Sequence, residues 1–127
     1  MSEKLVRLAS GAGAPEVELT VGQEQWGSYE LYLWDPEGRN FEMLGAGLNV
    51  DQIPDRFVIP KSLSALNGFL LSWEVKIAAF SSGPGQLYAA TINITQNGNL
   101  VSGGRVVNSG ALDGAVFLND FVRLLVI

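Results

Sequence analysis

The chain has 127 residues, of which 47% are hydrophobic and 17% charged. This is long enough to bury a core of its own and too apolar for a disordered protein. The net charge is −5 at pH 7, and the eight basic residues are scattered along the sequence, so no basic patch for nucleic acid is predicted. We expect a single domain over residues 1–127 that has no nucleic-acid partner.

Histidine and cysteine are both absent from the sequence. Their absence excludes disulfides, thiolate nucleophiles and the usual zinc, iron and copper sites. The longest apolar runs, at residues 69–71 and 124–127, are far shorter than the roughly 20 residues of a membrane-spanning helix. No apolar run typical of a secretory signal follows Lys4. We expect a cytoplasmic protein without a membrane span, with signal-independent export left open.

Apolar residues recur at every second position between glycine-rich turns, which predicts short strands. In chain order the predicted strands cover residues 5–9, 16–21, 29–34, 41–45, 70–77, 87–95 and 100–107, with one more between 115 and 127. Residues 60–66 form at most one short helical turn. About eight strands in this length predict an all-β fold, namely an antiparallel β-sandwich or jelly-roll domain.

Several strands and turns permit more specific predictions. Trp73 lies in the most regular alternation, so we expect it to be buried together with Leu71, Val75 and Ile77. The C-terminal segment, residues 121–127, is apolar on both faces, which predicts a central strand or a subunit interface. Residues 96–99 can close a hairpin with either a two-residue or a three-residue loop. The pair Gly103-Gly104 predicts a bulge or a close backbone approach.

The segment Asp35–Arg39 predicts a hairpin with a three-residue loop, because Pro36 and Gly38 suit a type I turn followed by a bulge. This register pairs Leu33 with Phe41. A loop one residue longer would mix the two faces of the hairpin. The core face would carry Tyr29, Leu31, Leu33, Phe41 and Met43, and the outer face would carry Glu30, Tyr32, Trp34, Asn40 and Glu42.

The outer face of this hairpin is the candidate ligand-binding site. Tyr32 and Trp34 are suited to stack on a sugar ring or on an apolar side chain of a partner, while Glu30, Asn40 and Glu42 supply hydrogen bonds. We therefore expect a non-catalytic binding module, of a lectin-like, carbohydrate-binding kind. The alternatives are a self-assembling structural subunit without a small-molecule ligand and, less favoured, a small hydrolase using paired carboxylates.

The remaining expectations concern partners and cofactors. Low surface charge and the apolar C-terminal segment predict a homo-oligomer, with a glycan or a protein as a possible further ligand. Loop aspartates and asparagines offer oxygen ligands for calcium, but their spacing does not match an EF-hand loop. We predict neither a metal nor a cofactor.

Overall fold

The computed structural model describes residues 3–23, 25–49, 53–79 and 85–127. Within these ranges the chain forms nine strands and one short helix. The elements in chain order are β1 (Leu5–Leu8), β2 (Glu16–Gly22), β3 (Trp26–Trp34), β4 (Phe41–Asn49), β5 (Asp55–Val58), α1 (Leu63–Leu66), β6 (Leu70–Ala78), β7 (Leu87–Gln96), β8 (Asn99–Ala111) and β9 (Ala115–Val126). None of the helical structure in these ranges is long and apolar enough to cross a membrane.

The strands form a single sheet in the order β4-β3-β6-β9-β1-β8-β7-β2-β5. Neighbouring strands run antiparallel except β1 and β9, which are parallel. The two edge strands come together through side chains, because a Cβ atom added to Gly45 of β4 would lie only 2.3 Å from the ring of Phe57 in β5. The all-β prediction is confirmed as a nearly closed, barrel-like sheet, whereas the sandwich or jelly-roll arrangement is not confirmed.

Every second side chain of the central strands points inward, and these side chains fill the interior of the sheet. Trp73 is only 1% exposed, and Leu71, Val75 and Ile77 are buried beside it, as the sequence predicts. The short helix α1 adds the buried side chain of Leu66. This four-residue helix agrees with the prediction of at most one short helical turn.

Strand β9 lies in the middle of the sheet between β6 and β1, so the predicted central position of the C-terminal strand is confirmed. Leu124 is fully buried, and its backbone N–H donates to the carbonyl of Phe69 at 2.8 Å. The N–H of Ile127 donates to the carbonyl of Leu8 at 2.9 Å. The end of the chain is therefore tied to two neighbouring segments.

The predicted register of the β3–β4 hairpin is wrong by one residue near the turn. The backbone N–H of Asp35 donates to the carbonyl of Asn40 at 2.9 Å, so four residues form the loop and Trp34 pairs with Phe41. The Asp35 carboxylate stabilises this longer loop by accepting from the N–H of Arg39 at 2.8 Å. A bulge opposite Leu31 then shifts the register again.

This shift changes the face assignment of β4. Phe41 and Met43 are 58% and 54% exposed and lie on the outer side with Tyr32, and not in the core as predicted. Glu42 consequently points to the other side. The physical reason is that β4 is an edge strand, so the side chains at its end need not pack against the core.

Two further differences concern strands that the sequence pattern does not predict in full. Strand β4 continues through Gly47 to Asn49, beyond the predicted end at residue 45, and β5 has no counterpart among the predicted strands. A Cβ atom at Gly47 would lie 2.7 Å from the hydroxyl of Tyr29. The glycines therefore allow aromatic side chains to approach the backbone of an extended strand.

The other turn predictions are resolved by the backbone. Gln96 pairs with Asn99, and the two-residue loop Asn97-Gly98 has φ values of 54° and 79°, as a type I′ turn requires. Gly103 has a φ of 75°, and a Cβ atom there would lie 2.3 Å from the carbonyl oxygen of Leu5. The close backbone approach predicted for Gly103-Gly104 is confirmed.

Candidate functional site

The candidate site lies on the outer face of three adjacent strands, β3, β6 and β9. Tyr32 pairs with Ser72, which in turn pairs with Phe121, and one step along the strands Glu30 pairs with Glu74. A cavity of about 330 Å³ lies on this surface. We call it the aromatic groove; its lining includes Trp34, Leu70, Ser72, Glu74, Asn119 and Phe121.

The indole of Trp34 is held in one orientation beside the groove. Its Nε1–H donates to the hydroxyl of Ser72 at 2.8 Å, which ties the side chain to the neighbouring strand. The ring of Phe41 packs against the indole with a centroid distance of 4.7 Å and an interplanar angle of 40°. Tyr32 contacts the same phenylalanine edge-on at 5.5 Å. Phe41 therefore supports both Tyr32 and Trp34 from the edge strand.

Two carboxylates, Glu30 and Glu74, lie side by side on β3 and β6, next to Tyr32. We call this pair the carboxylate row. The Tyr32 hydroxyl donates to Glu30. This hydrogen bond, with burial and the charges of Glu30 and Glu74, raises the pKa of Tyr32 to about 12, so it remains a neutral donor at physiological pH. Glu74 lies directly across the strand pair from Glu30. Like charges at such positions repel each other.

Basic side chains near this row are engaged elsewhere. Lys76, the next outer residue of β6, lies over the ring of Phe117 at 5.8 Å from its centroid. Four other cations form ion pairs with carboxylates outside the row: Lys4 with Asp120, Arg56 with Glu18, Lys61 with Glu42, and Arg123 with Glu3. Among the residues that the structure describes, neither Glu30 nor Glu74 forms an ion pair with a basic side chain.

The structure brings together three of the five predicted site residues. Glu30, Tyr32 and Trp34 share the outer face of β3, as predicted. Asn40 lies instead in the exposed loop, where its amide donates to Asp35 at 2.8 Å. Glu42 lies on the other face of β4 and pairs with Lys61 at 3.2 Å. Glu30 and Glu42 are therefore not the carboxylate pair that a hydrolase would need.

The groove also uses residues that sequence reasoning does not place in the site. The alternation assigns Ser72 and Glu74 to a solvent-facing side of their strand, but nothing in it identifies β6 as the neighbour of β3. Phe121 and Asn119 belong to β9, whose position in the sheet is not encoded in any local pattern. The only local signal is the alternation that turns these side chains outward.

A second cavity, of about 530 Å³, lies at the seam between β4 and β5. There the buried Tyr29 donates its hydroxyl hydrogen to Asp55 at 2.7 Å. Burial first, and then this hydrogen bond, raise the pKa of Tyr29 above its ordinary value. This contact joins β3 to β5 across the edge of the sheet, so we interpret it as structural. Within the described ranges, no group of three or more acidic side chains is arranged to hold a metal ion.

Comparisons with known proteins address the fold. No protein-family model and no curated protein matches the chain. The crystal structure of a DUF4425 family protein from Bacteroides ovatus ATCC 8483 is similar, with 12% sequence identity and a TM-score of 0.53 over 88% of this chain and 95% of that chain. A domain of unknown function, DUF4425, from Bacteroides vulgatus ATCC 8482 has 11% identity and a TM-score of 0.52 over 91% and 98%. At this identity the likeness concerns the all-β fold alone.

Proposed function

We propose that the chain is a non-catalytic, carbohydrate-binding module that holds its ligand in the aromatic groove. The observation that carries the proposal is the fixed indole of Trp34, which is hydrogen-bonded to Ser72 at 2.8 Å on the wall of the cavity. A ring that is already oriented loses little conformational entropy when a ligand stacks on it.

The chemistry of the lining suits a sugar. A pyranose has an apolar face, which packs on an aromatic ring, and hydroxyl groups around its edge, which need hydrogen-bonding partners. Trp34 and the exposed Phe121 offer aromatic surfaces, while Glu74 and Asn119 offer polar groups within the same groove. A cavity of about 330 Å³ also lies in the size range of ligand pockets, roughly 300–1,000 Å³.

A glycan array tests this proposal with matched variants. Trp34→Ala and Phe121→Ala should each weaken binding about tenfold or more, because aromatic anchors carry much of the energy of an interface. Phe117→Ala is the control, since Phe117 lies on the same face of the same strand, is similarly exposed, and is not part of the groove lining. Thermal unfolding of each variant checks that the fold is retained.

Three results would contradict the proposal. Wild-type protein that binds no glycan leaves self-assembly as the better explanation of the exposed aromatic residues. Equal losses in Phe117→Ala and Phe121→Ala would mean that the groove is not the site. Turnover of a bound glycan that is abolished by Glu30→Gln would identify an enzyme.

A second candidate function, self-assembly into a homo-oligomer, is favoured by strand β4. It is an edge strand of nine residues, and its outer side exposes Phe41, Met43 and Leu48. Unpaired strand edges with apolar side chains tend to pair with another chain. Light scattering should then give an oligomeric mass that Met43→Lys lowers. Leu87→Lys, an exposed position in a strand paired on both sides, is the control. A monomeric wild-type protein would contradict this candidate.

A further inference from the structure

We propose that the carbohydrate bound in the aromatic groove carries protonated amines, as in an oligosaccharide of unacetylated amino sugars, and that one amine lies between Glu30 and Glu74. The inference rests on the proposed function and adds the chemical class of the ligand.

The first argument is the position of the two carboxylates. Glu30 and Glu74 are direct cross-strand partners on the outer face, where Cβ atoms lie about 4.5–5.5 Å apart. Two negative charges at that spacing repel each other. A cation placed between them removes the repulsion and is attracted by both carboxylates.

The second argument is that the described part of the chain does not supply this cation itself. Lys76 is the nearest outer neighbour along β6, and its ammonium group lies over the ring of Phe117. Arg123 lies on the far side of the groove, where it pairs with Glu3 at 2.6 Å and donates to the carbonyl of Gly68 at 2.7 Å. The hydroxyl of Tyr32 donates a hydrogen bond to Glu30 but is neutral.

The third argument is continuity between the carboxylates and the aromatic rings. Glu74 lines the groove together with Trp34 and Phe121. Phe121 pairs with Ser72, two residues from Glu74, which is about 7 Å along the strand. A sugar ring stacked at Phe121 therefore carries an amino substituent toward the carboxylates. This arrangement favours an amino sugar over a flexible basic peptide, which has no ring for the aromatic walls.

Titration calorimetry of the whole chain with three oligosaccharides tests the inference. The ligands are glucosamine, N-acetylglucosamine and glucose oligomers of equal length and linkage, at low ionic strength and about pH 6, below the ordinary pKa of an amine. The glucosamine oligomer should bind about tenfold more tightly than the other two. Glu74→Gln should remove most of this preference, because the amide keeps a hydrogen-bonding oxygen but carries no charge. Glu37→Gln, in the exposed loop, is the charge-matched control and should behave like the wild type.

The outcomes separate this inference from the proposed function. If all three oligomers bind equally and Trp34→Ala weakens their binding, the inference of an amine-bearing ligand is overturned, but the proposed carbohydrate site stands. No binding of any oligomer overturns both. Oligolysine that binds as tightly as the glucosamine oligomer, and is insensitive to Trp34→Ala, would show attraction by charge alone and overturn the inference.

The stability of Glu74→Gln, measured without any ligand, tests the first argument separately. Because Glu74→Gln removes a like-charge contact, its melting temperature should be equal to or above that of the wild type at low ionic strength. A clear decrease would show that the two carboxylates do not repel each other, which overturns the first argument.

Discussion

The two faces of strand β6 have different physical roles. Its inner residues, Leu71, Trp73, Val75 and Ile77, are all at most 1% exposed and belong to the core. Its outer residues Leu70, Ser72 and Glu74 line the aromatic groove. Because a strand turns successive side chains to opposite sides, one central strand can carry stability on one face and a candidate binding surface on the other. Substitutions on the two faces should therefore have separable effects.

The largest effect is expected where one change removes core packing and backbone hydrogen bonds together. Deleting residues 124–127 removes the buried Leu124 and the backbone hydrogen bonds that join β9 to Phe69 and Leu8. The truncated chain should be insoluble or unfolded, which circular dichroism and size-exclusion chromatography would show. A truncated chain that remains folded, soluble and of unchanged mass would identify the segment as a dispensable tail.

The second prediction compares two tryptophans on opposite faces. Trp73→Ala should lower the free energy of unfolding by about 3–5 kcal/mol, because it leaves a large cavity in the core. Trp34→Ala should cost clearly less, since Trp34 is only half-buried. Urea unfolding monitored by circular dichroism measures both.

Trp73→Phe sharpens this comparison. The indole N–H of Trp73 is buried and has no hydrogen-bond partner among the described residues, so phenylalanine gives up packing but no hydrogen bond. We expect it to be less destabilising than alanine. Equal costs for Trp34→Ala and Trp73→Ala would mean that the outer aromatic residue is also structural.

The third prediction concerns the seam that nearly closes the sheet. In Gly45→Ala the new methyl group would lie 2.3 Å from the ring of Phe57, so the ring or the strand must move. Overpacking of this kind costs about 1–3 kcal/mol. Gly11→Ala is the control, because a methyl group at that position would have no heavy atom within 4 Å beyond its chain neighbours. A melting temperature for Gly45→Ala equal to that of the wild type would show that the seam opens freely.

The smallest expected effect is in the β3–β4 loop. The N–H of Arg39, and then the amide of Asn40, hold the pKa of Asp35 below its ordinary value. A lowered pKa in the folded state stabilises the fold above the ordinary carboxyl pKa, and this contribution is lost as the pH falls. Asp35→Ala should therefore be less stable than the wild type at neutral pH, and the difference should shrink below about pH 4. Glu37→Ala, which removes the same charge from the same loop, is the control for the change in net charge.

Several features of the fold follow from short-range patterns and are predicted correctly. The alternation around Trp73 identifies a core face, and Asn97-Gly98 offers the backbone geometry of a tight hairpin. The predicted β3–β4 register is wrong because it assumes a three-residue loop that keeps the two faces of the hairpin unmixed, with Phe41 on the core face. An edge strand relaxes that requirement, and the hydrogen bonds of Asp35 favour the longer loop. Strand β5 escapes prediction because its four residues include Asp55 and Arg56, which give no apolar alternation.

The sequence by itself determined which side chains of β3 and of β6 lie on the same face, since that depends only on the two-residue period of an extended backbone. It thus grouped Glu30 with Tyr32 and Trp34. Only the tertiary structure decided that β6 and β9 lie beside β3, and therefore that Ser72 and Phe121 join Trp34 around one groove. Pairing between strands that are distant along the chain depends on how all the strands pack around the common core, and no local pattern encodes it.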